Sequence, residues 1–251
     1  MKMLESKIAL VTGAGQGVGQ GIAFALAEEG AKIAAAGRTL GKLQKTCSRI
    51  RDRGGEALAV ECDVKILDSL QNCVEQVVAT FGSINILVNN AQEAPLGSLH
   101  KVTDESFEAG WQSGPLATFR LMKLCYPYLK GDGCIINLAS SVSKRWDMSN
   151  YGAYAAVKEA IRSLSRAAAC EWGVDNIRTN VIMPHAKSPS LKWWIENNPE
   201  EAASFIAGIP MRRVGECEED IGRFVALLCT DAAGYVNGQT IGLDGGQAFL
   251  G

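Results

Sequence analysis

Short, nearly unbroken apolar runs near residues 7–11, 32–36, 56–60, 84–89, 133–138, 177–182 and 239–243 alternate with longer stretches whose apolar positions recur every three or four residues. Runs of this length suit strands buried on both faces, and the longer stretches suit helices that bury one side. The alternation predicts a doubly wound three-layer α/β/α fold. Its sheet is expected to be mostly parallel, of about seven strands, with right-handed crossovers and ligands at the carboxyl ends of the strands. No repeat or linker interrupts the pattern, so residues 1–251 are expected to form a single domain. Its loosest part is a substrate-loop segment at about 184–217, where Pro184, Pro189, Pro199 and Pro210 fall.

Composition adds to this picture mainly by exclusion. An apolar content of 47% over 251 residues suffices for one sizeable core, and a formal charge of −2 leaves no basic footprint for a nucleic-acid partner. The N-terminal MKMLESKIALV has no signal-peptide pattern, and no apolar stretch reaches the roughly 20 residues of a membrane helix, so a soluble, cytoplasmic protein is expected. The eight cysteines include no Cys-x-x-Cys pair and read as reduced core thiols. With only His100 and His185, far apart, no protein metal site is expected.

Two stretches carry chemistry. After the first apolar run comes TGAGQGVG and then a helical pattern, so Gly13, Gly17 and Gly19 allow a tight turn, a close backbone approach to phosphate and close helix packing. The spacing is Gly-x-x-x-Gly-x-Gly, with Val18 in place of a further glycine. Farther on, Tyr154 and Lys158 stand four apart and share a helix face, thirteen residues after Ser141. A cation beside a phenol whose free pKa is about 10 favours ionisation, which makes Tyr154 a usable proton donor and acceptor. Tyr151 lacks such a partner, since Ala155 stands four residues on.

Together these motifs resemble the short, single-domain short-chain dehydrogenases/reductases over nearly the whole chain. Thr12 to Gly19 is similar to the family's cofactor turn, Asp63-Val64 to its adenine-side pair, Asn89-Asn90-Ala91 to the segment closing its fourth strand, and Leu243-Asp244-Gly245-Gly246 to its closing strand and turn, usually an interface. The resemblance implies a Rossmann-type fold and a homo-oligomer, dimer or tetramer. It places Gly13, Gln16, Gly17, Val18, Gly19, Arg38, Asp63, Val64, Asn90, Ala91 and Pro184 around a nicotinamide dinucleotide, together with Tyr154 and Lys158. It also implies reversible hydride transfer between that cofactor and a ketone or secondary alcohol. In that reaction Ser141 bonds the substrate oxygen, Tyr154 passes the proton, and Lys158 lowers the tyrosine pKa and holds the ribose. Ser140 reads as structural.

About 20 residues past the glycine turn, where NAD-binding members carry an acid, this chain has Gly37 followed by Arg38, a fork suited to a 2′-phosphate. NADP(H) is therefore expected, with NAD(H) the alternative. A solvated arginine before a helix capped by Thr39 is the plainer reading of the same residues.

The chain also departs from the family pattern. Gly114 replaces the usual helix asparagine, and Pro115 after it is expected to free the Trp111 carbonyl for a relay water. Gln92 and His185 replace glycines near the nicotinamide. Gln92 either lines the cleft or points into a loop, and His185 either contacts a ligand or is a tolerated loop residue. Ser188 stands where a threonine commonly holds the carboxamide. Trp146, Trp193, Trp194 and Phe205 are candidates either for an apolar pocket wall, which suggests a bulky or hydrophobic substrate, or for core or subunit contacts. A non-catalytic cofactor sensor and a structural subunit of the same fold are the alternatives to an enzyme.

Overall fold

The computed structural model describes residues 2–145 and 150–249. Seven strands form one sheet in the order β3-β2-β1-β4-β5-β6-β7, with every pairing parallel. They are β1 Ile8–Thr12, β2 Lys32–Gly37, β3 Ala57–Glu61, β4 Ile86–Asn89, β5 Gly133–Leu138, β6 Ile177–Pro184 and β7 Thr240–Leu243. Two strands depart from expectation by two residues: β4 begins at Ile86, and β6 ends at Pro184. β6 runs further because Met183 and Pro184 stay in register with Gly242 and Leu243 of β7.

The chain enters at the centre of the sheet, runs outward to β3, and returns to build the other half from β4. The order therefore reverses between β1 and β4, which opens a crevice above their carboxyl ends. The helices are α1 Gly17–Glu28, α2 Leu40–Asp52, α3 Leu67–Phe81, α4 Asp104–Trp111, α5 Ala117–Leu129, α6 Gly152–Trp172, α7 Pro189–Asn197, α8 Pro199–Gly208 and α9 Arg223–Leu228. Each sheet face carries its own apolar layer. Ile22 and Leu26 of α1 join Val225 and Leu228 of α9 on one side. Leu70 and Val74 of α3 join Leu121 and Leu129 of α5 on the other.

Two features bear on the site. Between α4 and α5 the helix widens into a π segment, Gln112–Leu116, with Pro115 inside it. Beneath α6, a buried polar chain crosses the core. Asn89 Nδ2 donates to Asn137 Oδ1 at 2.8 Å, Asn137 Nδ2 donates to Ser165 Oγ at 2.8 Å, and Ser165 Oγ donates to the Ile161 carbonyl at 2.7 Å. These bonds hold α6 in one register on β4 and β5, because sliding it would strand buried polar groups at about 1–3 kcal/mol each. All eight cysteines are free, and six of them are buried. Among the described residues no helix is long and apolar enough to cross a membrane.

Candidate active site

The floor of the crevice is braced by Thr12 and Asn90. Thr12 Oγ1 accepts from the Asn90 and Ala91 N–H groups at 2.9 and 3.0 Å, and Asn90 Nδ2 donates back to the Thr12 carbonyl at 2.8 Å. Gly13 follows with φ +65, and a Cβ there would lie 2.5 Å from Asn90 Nδ2, so the turn needs glycine on both counts. Gln16, at the N-cap of α1, makes no side-chain cap bond and instead accepts from Lys42 Nζ at 2.6 Å. The first N–H groups of α1 are thus left to an anion.

At the next strand ends, Arg38 pairs with Glu93 at 2.7 Å, and the same carboxylate oxygen takes Lys65 at 3.1 Å. Arg38 is therefore not simply solvated. Thr39 does occupy the N-cap position of α2, but its side chain makes no cap bond. Asp63 accepts from the Lys65 N–H at 3.0 Å, and its own N–H donates to Ser69 Oγ at 3.0 Å, which fixes the Asp63-Val64 corner.

Tyr154 and Lys158 lie on one side of α6, with Lys158 Nζ 5.5 Å from the Tyr154 ring centroid and donating to the Leu138 carbonyl at 2.7 Å. Ser141 opens a short 3-10 turn after β5. Ser140 caps that turn by accepting from the Val142 N–H at 3.4 Å, which leaves Ser141 Oγ to donate to Gln247 Oε1 at 3.5 Å. Gln247 is presented by a turn closed on buried Asp244, which accepts from the Gly246 and Ala248 N–H groups.

The electrostatics correct one expectation. Burial, with Tyr151 beside it, pushes the Tyr154 phenol up to about 12, the opposite of the depression read from the spacing. Lys158 is buried too, and desolvation brings its ammonium down to about 7. Burial weighs against the charged form of each group, so in this cleft the cation does not acidify the phenol.

The departures from the family pattern also resolve geometrically. In the π register the carbonyl that Pro115 leaves without a donor is five residues back, Gly110 rather than Trp111, and Gln92 Nε2 donates to it at 2.8 Å. Gln92 thus stands in the cleft wall, as does His185. The His185 ring lies edge-on to Phe205 at 5.4 Å, and Trp194 packs on the same phenyl at 5.7 Å. Burial lowers the His185 pKa, Arg145 adds to this, and Asp244 opposes it. Trp194 and Phe205 line the cleft, whereas Trp193 is 63% exposed outside it, and Trp146 lies outside the described residues. Ser188 caps α7 by accepting from the Leu191 N–H.

One cleft of about 1000 Å³ gathers the glycine turn, Gln16, Val18, Arg38, Asp63, Val64, Asn90, Ala91, Ser141, Tyr154, Lys158 and Pro184. Gly19 is not on its wall. It is buried against Asn90 and the Gly13 carbonyl, where any side chain would collide. Three members of the site carried no sequence signal: Glu93, Gln247 and the Leu138 carbonyl. Each acts through a contact distant in sequence. The volume, the donors at the start of α1 and the nearby cations fit a dinucleotide with a substrate beside it.

Comparison with known proteins agrees with this geometry. A family profile described as Enoyl-(Acyl carrier protein) reductase matches residues 13–248. The chain is 40% identical over 258 residues to a 12alpha-hydroxysteroid dehydrogenase of a Clostridium species, covering 98% of each protein. It is 36% identical over 253 residues to a tropinone reductase homolog of Arabidopsis thaliana, covering 99% of this chain and 93% of that one. A crystal structure of an actinorhodin polyketide ketoreductase variant with NADPH superposes with a TM-score of 0.93 at 27% identity, covering all of both chains. With its all-parallel sheet, its glycine turn at the strand-order reversal and these relatives, the chain belongs to the short-chain dehydrogenase/reductase family of oxidoreductases.

Proposed function

We propose that the protein is an NADP(H)-dependent oxidoreductase that interconverts a ketone and a secondary alcohol on a bulky, hydrophobic substrate. The observation that carries this reading is that Ser141, Tyr154 and Lys158 open onto the same cleft as the glycine turn. When bound, the nicotinamide dinucleotide supplies or accepts the hydride. Ser141 Oγ orients the substrate oxygen once it exchanges Gln247 for that ligand. Tyr154, held protonated by its buried setting, delivers its proton to the developing alkoxide during reduction. Lys158 takes up a proton readily near neutral pH, and negative charge entering the cleft favours its cationic form, which then stabilises the tyrosinate.

Arg38 and Lys65 converge on one carboxylate oxygen, so this corner is built to hold negative charge, and that supports the NADP(H) choice. The relatives named for a hydroxysteroid and for an NADPH-bound ketoreductase support the substrate class and the cofactor. The free thiols fit a reducing, cytoplasmic setting, and a homo-oligomer belongs to the same reading.

The test is to follow NADPH and NADH fluorescence with a panel of steroid and other polycyclic ketones, using the wild type and Tyr154→Phe. Ketone-dependent loss of NADPH signal, abolished in the variant, is expected. Binding without turnover across the panel would instead favour a cofactor sensor.

A further inference from the structure

Gly114 lies in the π segment, and a Cβ built there would fall 2.5 Å from Gln92 Oε1, 2.7 Å from Nε2 and 2.9 Å from Cδ. The Gln92 carboxamide therefore fills the space that any side chain at 114 would need. It is pinned in that space, because Nε2 donates to the Gly110 carbonyl at 2.8 Å and to the Glu93 carbonyl at 3.0 Å. One of these bonds goes to the carbonyl that Pro115, without an N–H, cannot serve. Ser113 completes the stitching: its Oγ accepts from the Glu93 N–H at 2.9 Å and donates to the Ala109 carbonyl at 2.7 Å. Gln92 Oε1 is buried with no partner among the described residues, an arrangement that persists only where surrounding packing enforces it. The π segment so fixed rests directly on α6, the helix of Tyr154 and Lys158.

We propose that Gln92 is a positioning residue of this active site, forming with Gly114 a single unit that sets the π segment against α6 and so places Tyr154 and Lys158 in the cleft. The unit joins the loop after β4 to the last turn of α4 through one amide, and the π segment that follows packs on α6. It also makes glycine at 114 a requirement of glutamine at 92.

The kinetic arm of the test rests on the oxidoreductase reading; the stability arm does not. Gln92→Met keeps the bulk over Gly114 and removes both donors. It is expected to lower kcat about tenfold while leaving KM for the cofactor unchanged, as a small misplacement of catalytic groups does. Thermal melts of Gln92→Gly, Gly114→Ala and the double variant are expected to be non-additive, the double variant melting above Gly114→Ala alone because the smaller residue at 92 makes room for the new methyl. Additive melting shifts, or a Gln92→Met enzyme with wild-type kcat, would overturn the proposal. If the wild type itself turned over no ketone or alcohol with either cofactor, the oxidoreductase reading would fail, and the melting cycle alone would decide the role of Gln92.

Discussion

Lys158 approaches Tyr154 over its ring, 5.5 Å from the centroid, while its ammonium bonds to the Leu138 carbonyl at the end of β5. The lysine is thus anchored to the sheet and not to the phenol. Proximity of the two groups is built into α6, whereas their charge states depend on what else enters the cleft.

The burial of Lys158 is expected to cost stability in a pH-dependent way. Its folded pKa, about 7, lies below its unfolded value, so between about pH 7 and 10.5 the unfolded state binds more protons and stability rises with pH. The penalty is full below pH 7 and gone above 10.5. Lys158→Met should therefore be more stable than the wild type at pH 6, by up to a few kcal/mol, and melt higher, with the gain vanishing near pH 10.5, and it should lose turnover. Equal melting of the two proteins at pH 6 would refute this assignment of the penalty.

Cofactor choice should respond to Gly37→Asp. A Cβ at 37 meets nothing closer than Leu43 Cδ2 at 3.5 Å, an ordinary contact, so the substitution fits. A carboxylate there accepts ribose hydroxyls and repels a 2′-phosphate, which should move the ratio of kcat/KM values toward NADH by about tenfold or more. An unchanged ratio would refute the assignment of this corner to the 2′-phosphate of NADP(H).

Glu93 pairs with both Arg38 and Lys65, so on the proposed NADP(H) reading it competes with the 2′-phosphate for these two cations. Exposed pairs are worth about 0.2–1 kcal/mol each, so Glu93→Gln should tighten NADPH binding by roughly two- to tenfold, most at low salt. Titration of NADPH fluorescence at two ionic strengths measures this. Weaker binding in the variant would argue against competition.

The aromatic wall leads to a prediction about substrate alone. Trp194→Ala removes one face of the cluster it forms with Phe205 and His185, and should raise KM for a polycyclic ketone by about tenfold while leaving KM for the cofactor in place. Steady-state kinetics with one bulky and one small ketone separates this from general damage.

Asn90→Ala should loosen the floor. It deletes the bond from Nδ2 to the Thr12 carbonyl, worth about 1 kcal/mol, and so lowers the melting temperature by about 2–4 °C in a domain of this size. Cofactor binding should weaken as well, since the glycine turn rests on this brace. Differential scanning calorimetry with and without NADPH tests both.

The strands, the glycine turn and the shared helix face of Tyr154 and Lys158 were legible from local periodicity or short spacing, whereas bringing Ser141 and that pair to the glycine turn's cleft was implied only by the family resemblance. What was not legible depends on burial and on distant partners. The Tyr154 phenol moves up and not down because desolvation and the neighbouring Tyr151 both raise it, and burial also lowers Lys158, effects invisible in a spacing. The open carbonyl is Gly110 and not Trp111 because the helix widens to a π register that no propensity rule announces. Trp193 and Trp194 are adjacent in sequence, yet only the second faces the cleft. Glu93 and Gln247 reach the site from loops whose sequences mark them as nothing more than polar.

The asparagine and serine chain from β4 through β5 into α6 has an evolutionary corollary. A helix locked to its sheet by buried polar pairs is poor material for drift, while α7 buries none of its residues and α8 only Ala202. New ligand preferences in descendants of this protein should therefore accumulate between residues 189 and 208, while α6 keeps its inherited register.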